Sequence, residues 1–383
     1  MHSVAQPDQA KTDVESGKEL LAQVRRIARE DLLPLASQVD AGLYPVDVLR
    51  ELAGIGATSA HLEPPHANSD YGLAIDATAE VAKICGATAF LMWCQGVCGL
   101  YLQNAASAYL RETLLEDHVC GFTLGGTALS NPMKSFAKIE TLRLIAKPTG
   151  GNWRISGNLP WVSNLAPGQY CAAIAQVQDA NGHADQQHQI MFLVRTDAPG
   201  VELRSCPPFS GMEGTGTYAI ELDNHEIDAD HIIANPVQPW LKRIRPAFVL
   251  LQNGMAAGLI QASIQSIEAA NHGLAHVNRY LPVQARDLSD QYEQWRDELA
   301  QLTRTPYDSS DEFFLRVLKS RATASELSLL SAQAALLHQG AAGYVMSSPV
   351  QRRIRESHFV AIVTPALKHL RKEIHRLETV VGE

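Results

Sequence analysis

Paired cysteine spacings, long apolar runs and an excess of basic charge are all missing from this 383-residue chain, and each absence removes a class of protein. The six cysteines (Cys85, Cys94, Cys98, Cys120, Cys171 and Cys206) form no C-x-x-C pair and sit mostly among apolar neighbours. Neither a zinc site nor a disulfide framework is expected, and buried free thiols are. Lys and Arg total 32 against 41 Asp and Glu, a formal charge of −9. That balance argues against a nucleic-acid, general polyphosphate or anionic-membrane binder, so any anionic ligand needs a local basic pocket. No stretch approaches the roughly 18 apolar residues of a membrane span, and the first eleven residues lack the basic segment and apolar run of a secretory signal. The expectation is a cytoplasmic protein without a membrane partner. A strand followed by a Gly-rich turn and a helix is not found either, which excludes a dinucleotide fold of that type. Internal repeats and low-complexity tracts are absent too.

What is present is a core-forming composition, 46% apolar and 19% charged, enough for two or three compact regions. From residue 16 to about 103 the period is helical: Leu20, Val24, Ile27 and Ala28 share a face, and residues 77–102 are nearly uniformly apolar and small. That stretch reads as one helix buried on all sides or two packed closely. Beyond Cys120 the period becomes two, with Leu142, Leu144 and Ala146, then Tyr218, Ile220 and Leu222, and apolar runs at 172–177 and 190–194. Turn signals at residues 148–151, 167–168, 179–182 and 199–200 are spaced as antiparallel strands require. After Pro236 helical spacing returns through Phe248, Leu251, Met255, Leu259 and Ala262, and again from Leu315 to Leu336, with a loop at 303–311 between. The expected fold class is α+β: a helical domain over 1–120, an antiparallel β-barrel or sandwich over 121–235, and a four-helix bundle over 236–383.

Three motifs sharpen this order of regions. They are Gly157-Asn-Leu-Pro-Trp161-Val-Ser163-Asn164, Ser210-Gly211-Met212-Glu-Gly214-Thr-Gly216-Thr-Tyr218 continuing to Glu226-Ile227, and Gly340-Ala-Ala-Gly343-Tyr344 followed by Arg352-Arg-Ile-Arg355-Glu356. With them the chain resembles the acyl-CoA dehydrogenase superfamily over most of its length. The resemblance implies a flavoprotein that binds FAD, with FMN or reduced flavin as alternatives, between the β-domain and the bundle. A carboxylate base then removes a proton from an acyl thioester while hydride passes to the flavin. It also implies a homodimer or homotetramer whose flavin site is completed between subunits, and an electron-transfer flavoprotein or a flavin reductase as redox partner. Carried over residue by residue, Trp161 takes the flavin-facing position and Ser163 that of a hydroxyl near flavin N5. Phe122, Leu124, Gly125, Ser130 and Asn131 fall at flavin-contacting positions of a loop, Gly340 in a glycine-rich helix turn, and Arg279 or Arg286 at the phosphate-neutralising position.

The departures concern the chemistry. Thr364 stands where the family has its catalytic Glu, and Phe248 near where some members carry that Glu instead. A Thr hydroxyl is no base at neutral pH. His358 is the nearest substitute, imidazole being the side-chain type that works near neutrality, and Glu356 reads as a structural partner of arginine. Glu213 reads as a surface residue. His272 and His276 have i, i+4 spacing without a third ligand, so no metal is expected. Lys242, Arg243 and Arg245 are the candidate contacts for a CoA phosphate, Met212 and Tyr344 the candidate pocket residues, and the apolar face from 248 to 267 the candidate oligomer contact. Loss of both Glu positions leaves three readings open: an acyl-CoA dehydrogenase-like oxidoreductase with a relocated base, a two-component monooxygenase using reduced flavin and O₂, and a non-catalytic flavin-binding member.

Overall fold

The computed structural model describes residues 7–179 and 182–381. The first six residues, and part of the turn at 179–182, lie outside them. The first region is helical: α1 (Pro7–Ile27), α2 (Ala36–Asp40), α3 (Val46–Gly54), α4 (Tyr71–Ala82), α5 (Gly86–Gln103) and α6 (Leu115–Val119). Val24, Ile27 and Ala28 turn inward together. The apolar stretch at 77–102 is two helices. Asp70 caps α4 by accepting from the Leu73 N–H at 2.8 Å, and every residue of α5 from Gly86 to Leu102 is buried, as an all-round apolar helix requires.

The second region holds β1 (Gly125–Thr127), α7 (Ser130–Phe136), β2 (Leu144–Thr149), β3 (Asn152–Val162), β4 (Tyr170–Gln178), β5 (Ala184–Arg195), β6 (Val201–Ser205), β7 (Tyr218–Ile227) and β8 (Ile232–Ala234). One sheet runs in the order β6-β7-β3-β2-β4-β5-β8, with β1 beside β4. Of the two expected forms, barrel or sandwich, the sheet takes the open, sandwich-like one, and its pairing is mixed where antiparallel strands were expected: β2 and β1 each pair with β4 in parallel. The Gly150-Gly151 turn, with φ of 57° and 94°, closes β2 and β3 into a two-residue hairpin. The next connection then carries the chain past β2, so β4, running opposite to β3, lies parallel to β2. The segment Gly157–Val162 is the bulged end of β3. Alternation along β4 divides two cores, Ala172 and Ile174 facing the helices and Ala173 and Ala175 facing the sheet interior.

The third region comprises α8 (Val237–Leu251), α9 (Asn253–Asn278), α10 (Ala285–Leu302), α11 (Asp311–Gln339), α12 (Ala341–Tyr344), α13 (Pro349–Ile362) and α14 (Leu367–Val381). α9 lies between α4 and α11 at close range. A Cβ on Gly254 would stand 2.6 Å from the Thr78 Cβ, and one on Gly258 2.2 Å from the Ala79 carbonyl oxygen. Two expectations change here. The apolar face from Phe248 to Ile267 is consumed inside the chain and presents no free surface. The run Val237–Asn278 is long and apolar enough to cross a membrane by length and composition, and 94% of its most apolar window is buried against the rest of the chain.

Candidate functional site

Helical spacing on α5 puts Phe90 and Trp93 on one face with ring centroids 5.6 Å apart. Phe359 of α13 meets Phe90 edge-on at 4.7 Å, and Phe248 of α8 meets Trp93 at 5.1 Å. From the sheet, Trp161 sits at the bulged end of β3 with φ of 63°, 49% exposed, and its ring lies 5.6 Å from that of Phe209. These aromatics enclose a cavity of about 420 Å³ where the sheet meets α5, α8 and α13. Its size and apolar walls are those of a small-molecule or cofactor site.

Hydroxyls supply the polar part. Ser130 Oγ and Thr364 Oγ1 are 2.9 Å apart, bringing together residues 234 positions distant in the chain. Ser163 Oγ lies 2.6 Å from Thr217 Oγ1, which lies 2.7 Å from Thr215 Oγ1, and the Thr215 hydroxyl donates to the Met212 carbonyl at 2.7 Å. Among the described residues, the wall holds the cations Lys134 and Arg355 and the imidazole of His358, and no carboxylate. Both cations are engaged, Lys134 with Glu140 at 2.9 Å and Arg355 with Asp40 at 2.6 Å.

The segment bearing Thr364 is held from behind. Its carbonyl accepts from Gln252 Nε2 at 2.9 Å, and Gln252 Oε1 accepts from Arg321 Nε at 3.0 Å. Arg321 is fully buried, and among the described residues it makes no ion pair; burial lowers its pKa to about 10, so it stays charged at neutral pH. Its Nη2 donates to the Val360 carbonyl at 2.6 Å, one of the last-turn carbonyls of α13, where a cation is favoured by the helix dipole. Glu356 also faces away from the cavity. Its Oε1 accepts from the Gly86 N–H at 2.9 Å, capping α5, and lies 3.3 Å from Arg352 Nε; burial raises its pKa while Arg352 opposes the shift.

Seven of the candidate residues read from the sequence therefore share one wall: Ser130, Trp161, Ser163, Met212, Phe248, His358 and Thr364. The others do not line it. Phe122 lies on the surface at 75% exposure, and Leu124 is buried with its carbonyl accepting from Tyr170 N–H. The Gly125 N–H is committed to Gln95 Oε1 and its carbonyl to Asn164 Nδ2, both at 2.8 Å. A side chain at Gly125 would strike Cys98 Sγ, which accounts for the glycine without a ligand. Asn131 is buried, its amide fixing Arg143 N–H, Thr141 O and Glu140. Arg279 caps the far end of α9, stacked on Tyr280, and a helix of 26 residues places it about 40 Å from the start of α9. Gly340 ends α11 with φ of 63° and is exposed, a helix-stop position. Met212 lines the cavity, whereas Tyr344 is 73% exposed elsewhere.

The remaining readings settle in the same way. Arg243 lies over Tyr307, and Arg245 pairs with Asp311 and covers Phe314, so these cations pack α8 against the start of α11. Glu213 is half-buried and accepts from the Phe209 N–H, which corrects its placement at the surface. Arg286 is exposed beside Asp290, as are His272 and His276. Phe90, Trp93, Phe209 and Phe359 escaped sequence reasoning because each reads as ordinary core; the i, i+3 pair on α5 was the available signal.

A helical region, an open mixed sheet and long C-terminal helices closing on one cavity give the chain the fold of the acyl-CoA dehydrogenases. Residues 15–121 match the family model for the acyl-CoA dehydrogenase N-terminal domain. The cyclohexane-1-carbonyl-CoA dehydrogenase of Syntrophus aciditrophicus is 22% identical over 92% of this chain and 93% of its own. The butyryl-CoA dehydrogenase structure from Megasphaera elsdenii superposes with a TM-score of 0.79 at 16% identity, covering 100% of both chains. A glutaryl-CoA dehydrogenase from Mycobacterium smegmatis, solved in complex with FADH2, gives 0.71 at 17% identity over 96% of this chain and 95% of that one.

Proposed function

We propose that the cavity binds the ring system of a flavin, FAD in the first instance, and that the protein is a cytoplasmic flavin-dependent oxidoreductase acting on an acyl thioester or a related apolar small molecule. The observation that carries the reading is the wall itself: aromatic faces on two sides, hydroxyls on Ser130, Ser163 and Thr364, and no carboxylate among the described lining residues. Those residues fit a planar, polar-edged ring. They do not include an unpaired arginine for the phosphates. Bound flavin supplies hydride acceptance, or reaction with O₂ when reduced.

The chain's own contribution follows from what surrounds that ring. Trp161 and Phe209 shield one side from water, and Ser130 and Thr364 offer one free O–H between them, since one hydroxyl of the pair donates to the other. His358 is the lining nitrogen base not held in an ion pair, and it is the group we assign to proton transfer. The missing carboxylate also favours a second reading, oxygenation by reduced flavin delivered by a reductase, which needs no base beside an α-carbon. Purified protein that is yellow near ~450 nm and bleaches anaerobically with an acyl-CoA supports the dehydrogenase. O₂ consumption by reduced flavin only in the presence of an organic substrate supports the oxygenase, and failure to bind FAD or FMN in any form overturns both.

Assembly is part of the same proposal. Asn278 Nδ2 donates to the His338 carbonyl at 3.1 Å and so joins the far ends of α9 and α11. There Val277, Tyr280, Leu337, Tyr344 and Met346 are all more than half exposed, beside Arg279. An apolar surface of this kind marks a contact between copies. A homodimer or homotetramer built on it would carry Arg279 towards a neighbouring subunit, in keeping with its distance from its own cavity.

A further inference from the structure

The hydroxyl chain behind the cavity has a direction. Three contacts join Ser163 to Thr217, Thr217 to Thr215, and Thr215 to the Met212 carbonyl, and three hydroxyl hydrogens are available to make them. A carbonyl only accepts, so the Thr215 hydrogen goes to Met212. Thr217 must then donate to Thr215, and Ser163 to Thr217. No other assignment satisfies all three bonds, and the two ends of the chain, Thr215 at 2% and Ser163 at 8% exposure, are too buried for water to substitute freely. Ser163 Oγ therefore presents only lone pairs to the cavity.

Resting on the reading of the cavity as a flavin site, we infer that the chain Ser163–Thr217–Thr215–Met212 selects the reduced form of the flavin over the oxidised form. If a bound isoalloxazine set N5 beside Ser163, as the resemblance implies, the oxidised ring would offer a lone pair and no hydrogen there and would meet the lone pairs of Ser163. The same atom in the reduced ring is an N–H and meets an acceptor. One matched hydrogen bond in place of one lone-pair mismatch corresponds to about a tenfold difference in affinity. The selection belongs to the chain and not to Ser163 alone, because its direction is set at Met212, three hydrogen bonds from the ligand.

The test is the dissociation constant of FAD and of FMN, each oxidised and each reduced anaerobically with dithionite, for the wild type and for Ser163→Ala, Thr215→Val and Thr215→Ser. The wild type should hold reduced flavin about tenfold more tightly, which places the midpoint potential of bound flavin roughly 30 mV above that of free flavin. Thr215→Val deletes the fixed end, lets Thr217 donate to Ser163 and frees the Ser163 hydrogen for the cavity, so the preference should vanish or reverse. Thr215→Ser keeps the chain and should keep the preference, while Ser163→Ala should lose it. Equal affinities for both redox forms in the wild type, or an unchanged preference in Thr215→Val, would overturn the inference and leave the flavin site standing. Absence of binding by every flavin form would overturn the flavin site itself, and the inference with it.

Discussion

Thr364 stands 2.9 Å from Ser130 in a wall with no carboxylate among the described residues, and its position is fixed by the buried Gln252 and Arg321 behind it. A substitution there changes the chemistry of the cavity while the backbone stays anchored through its carbonyl. Thr364→Glu places a carboxylate against aromatic rings, whose desolvation raises a carboxyl towards the neutral range a general base needs, while the Ser130 hydroxyl opposes part of that shift. Under the dehydrogenase reading, with His358 already serving as a base, anaerobic bleaching of bound flavin by an acyl-CoA should accelerate by no more than about 10²-fold. Stopped-flow absorbance checks this, and an unchanged rate would show that proton removal is not what the natural wall lacks. Thr364, Ser163 and Trp161 were legible in the sequence because each stands inside a motif of recognisable spacing. The partner of Thr364 was read only as a loop contact, since nothing local to Ser130 announces a residue 234 positions away. The direction of the Ser163 hydroxyl was not legible for a related reason: it is a property of a chain of contacts and not of a side chain.

Along the elements, the helices were readable wherever an apolar period runs for several turns. The sheet was readable only where strands alternate. β1 is Gly-Gly-Thr, too short for a period, and its parallel pairing with β4 follows from a crossover that no turn residue marks. The apolar face of α9 was read correctly as apolar and wrongly as an outer surface, because helical spacing shows that a face is buried and not what buries it. Glycine substitutions within α9 separate these two pieces of information. Gly258→Ala puts a Cβ 2.2 Å from the Ala79 carbonyl oxygen, and the forced separation from α4 should cost about 1–3 kcal/mol. Gly273→Ala, in the same helix but with nothing within 4 Å of the new Cβ, should stabilise by roughly 1 kcal/mol through helix propensity alone. Urea denaturation of the two variants should move the midpoint in opposite directions, and a shared sign would show that helix propensity, and not the α4 crossing, governs both sites.

For the whole molecule, two buried histidines on α6 and in the loop before α4 couple folding to pH. His118 donates from Nε2 to the Gln95 carbonyl at 2.8 Å, which leaves Nδ1 as the acceptor facing the Gln95 amide at 3.3 Å. A second proton on that ring would set two donors against each other. His61 likewise contacts the Gly96 carbonyl at 3.0 Å. Burial, set against those carbonyl bonds, lowers both to about 4 from the ordinary 6.5. The unfolded chain therefore binds two more protons than the folded one between pH 6.5 and pH 4, and stability must fall as pH falls through that window, by on the order of 3 kcal/mol for each histidine. Glu356 works the other way, since burial raises its pKa above the ordinary 4.5 and its protonation favours the folded state. A combined loss of this size is comparable to the whole stability of a typical domain, so acid unfolding should be well advanced by pH 4. His118→Gln retains a donor for the Gln95 carbonyl without a titrating ring, and should remove about half of the fall in urea midpoint between pH 7 and pH 4.5. A variant whose midpoint follows the same pH curve as the wild type would show that the acid response arises elsewhere, among the surface carboxylates instead of the α5 core.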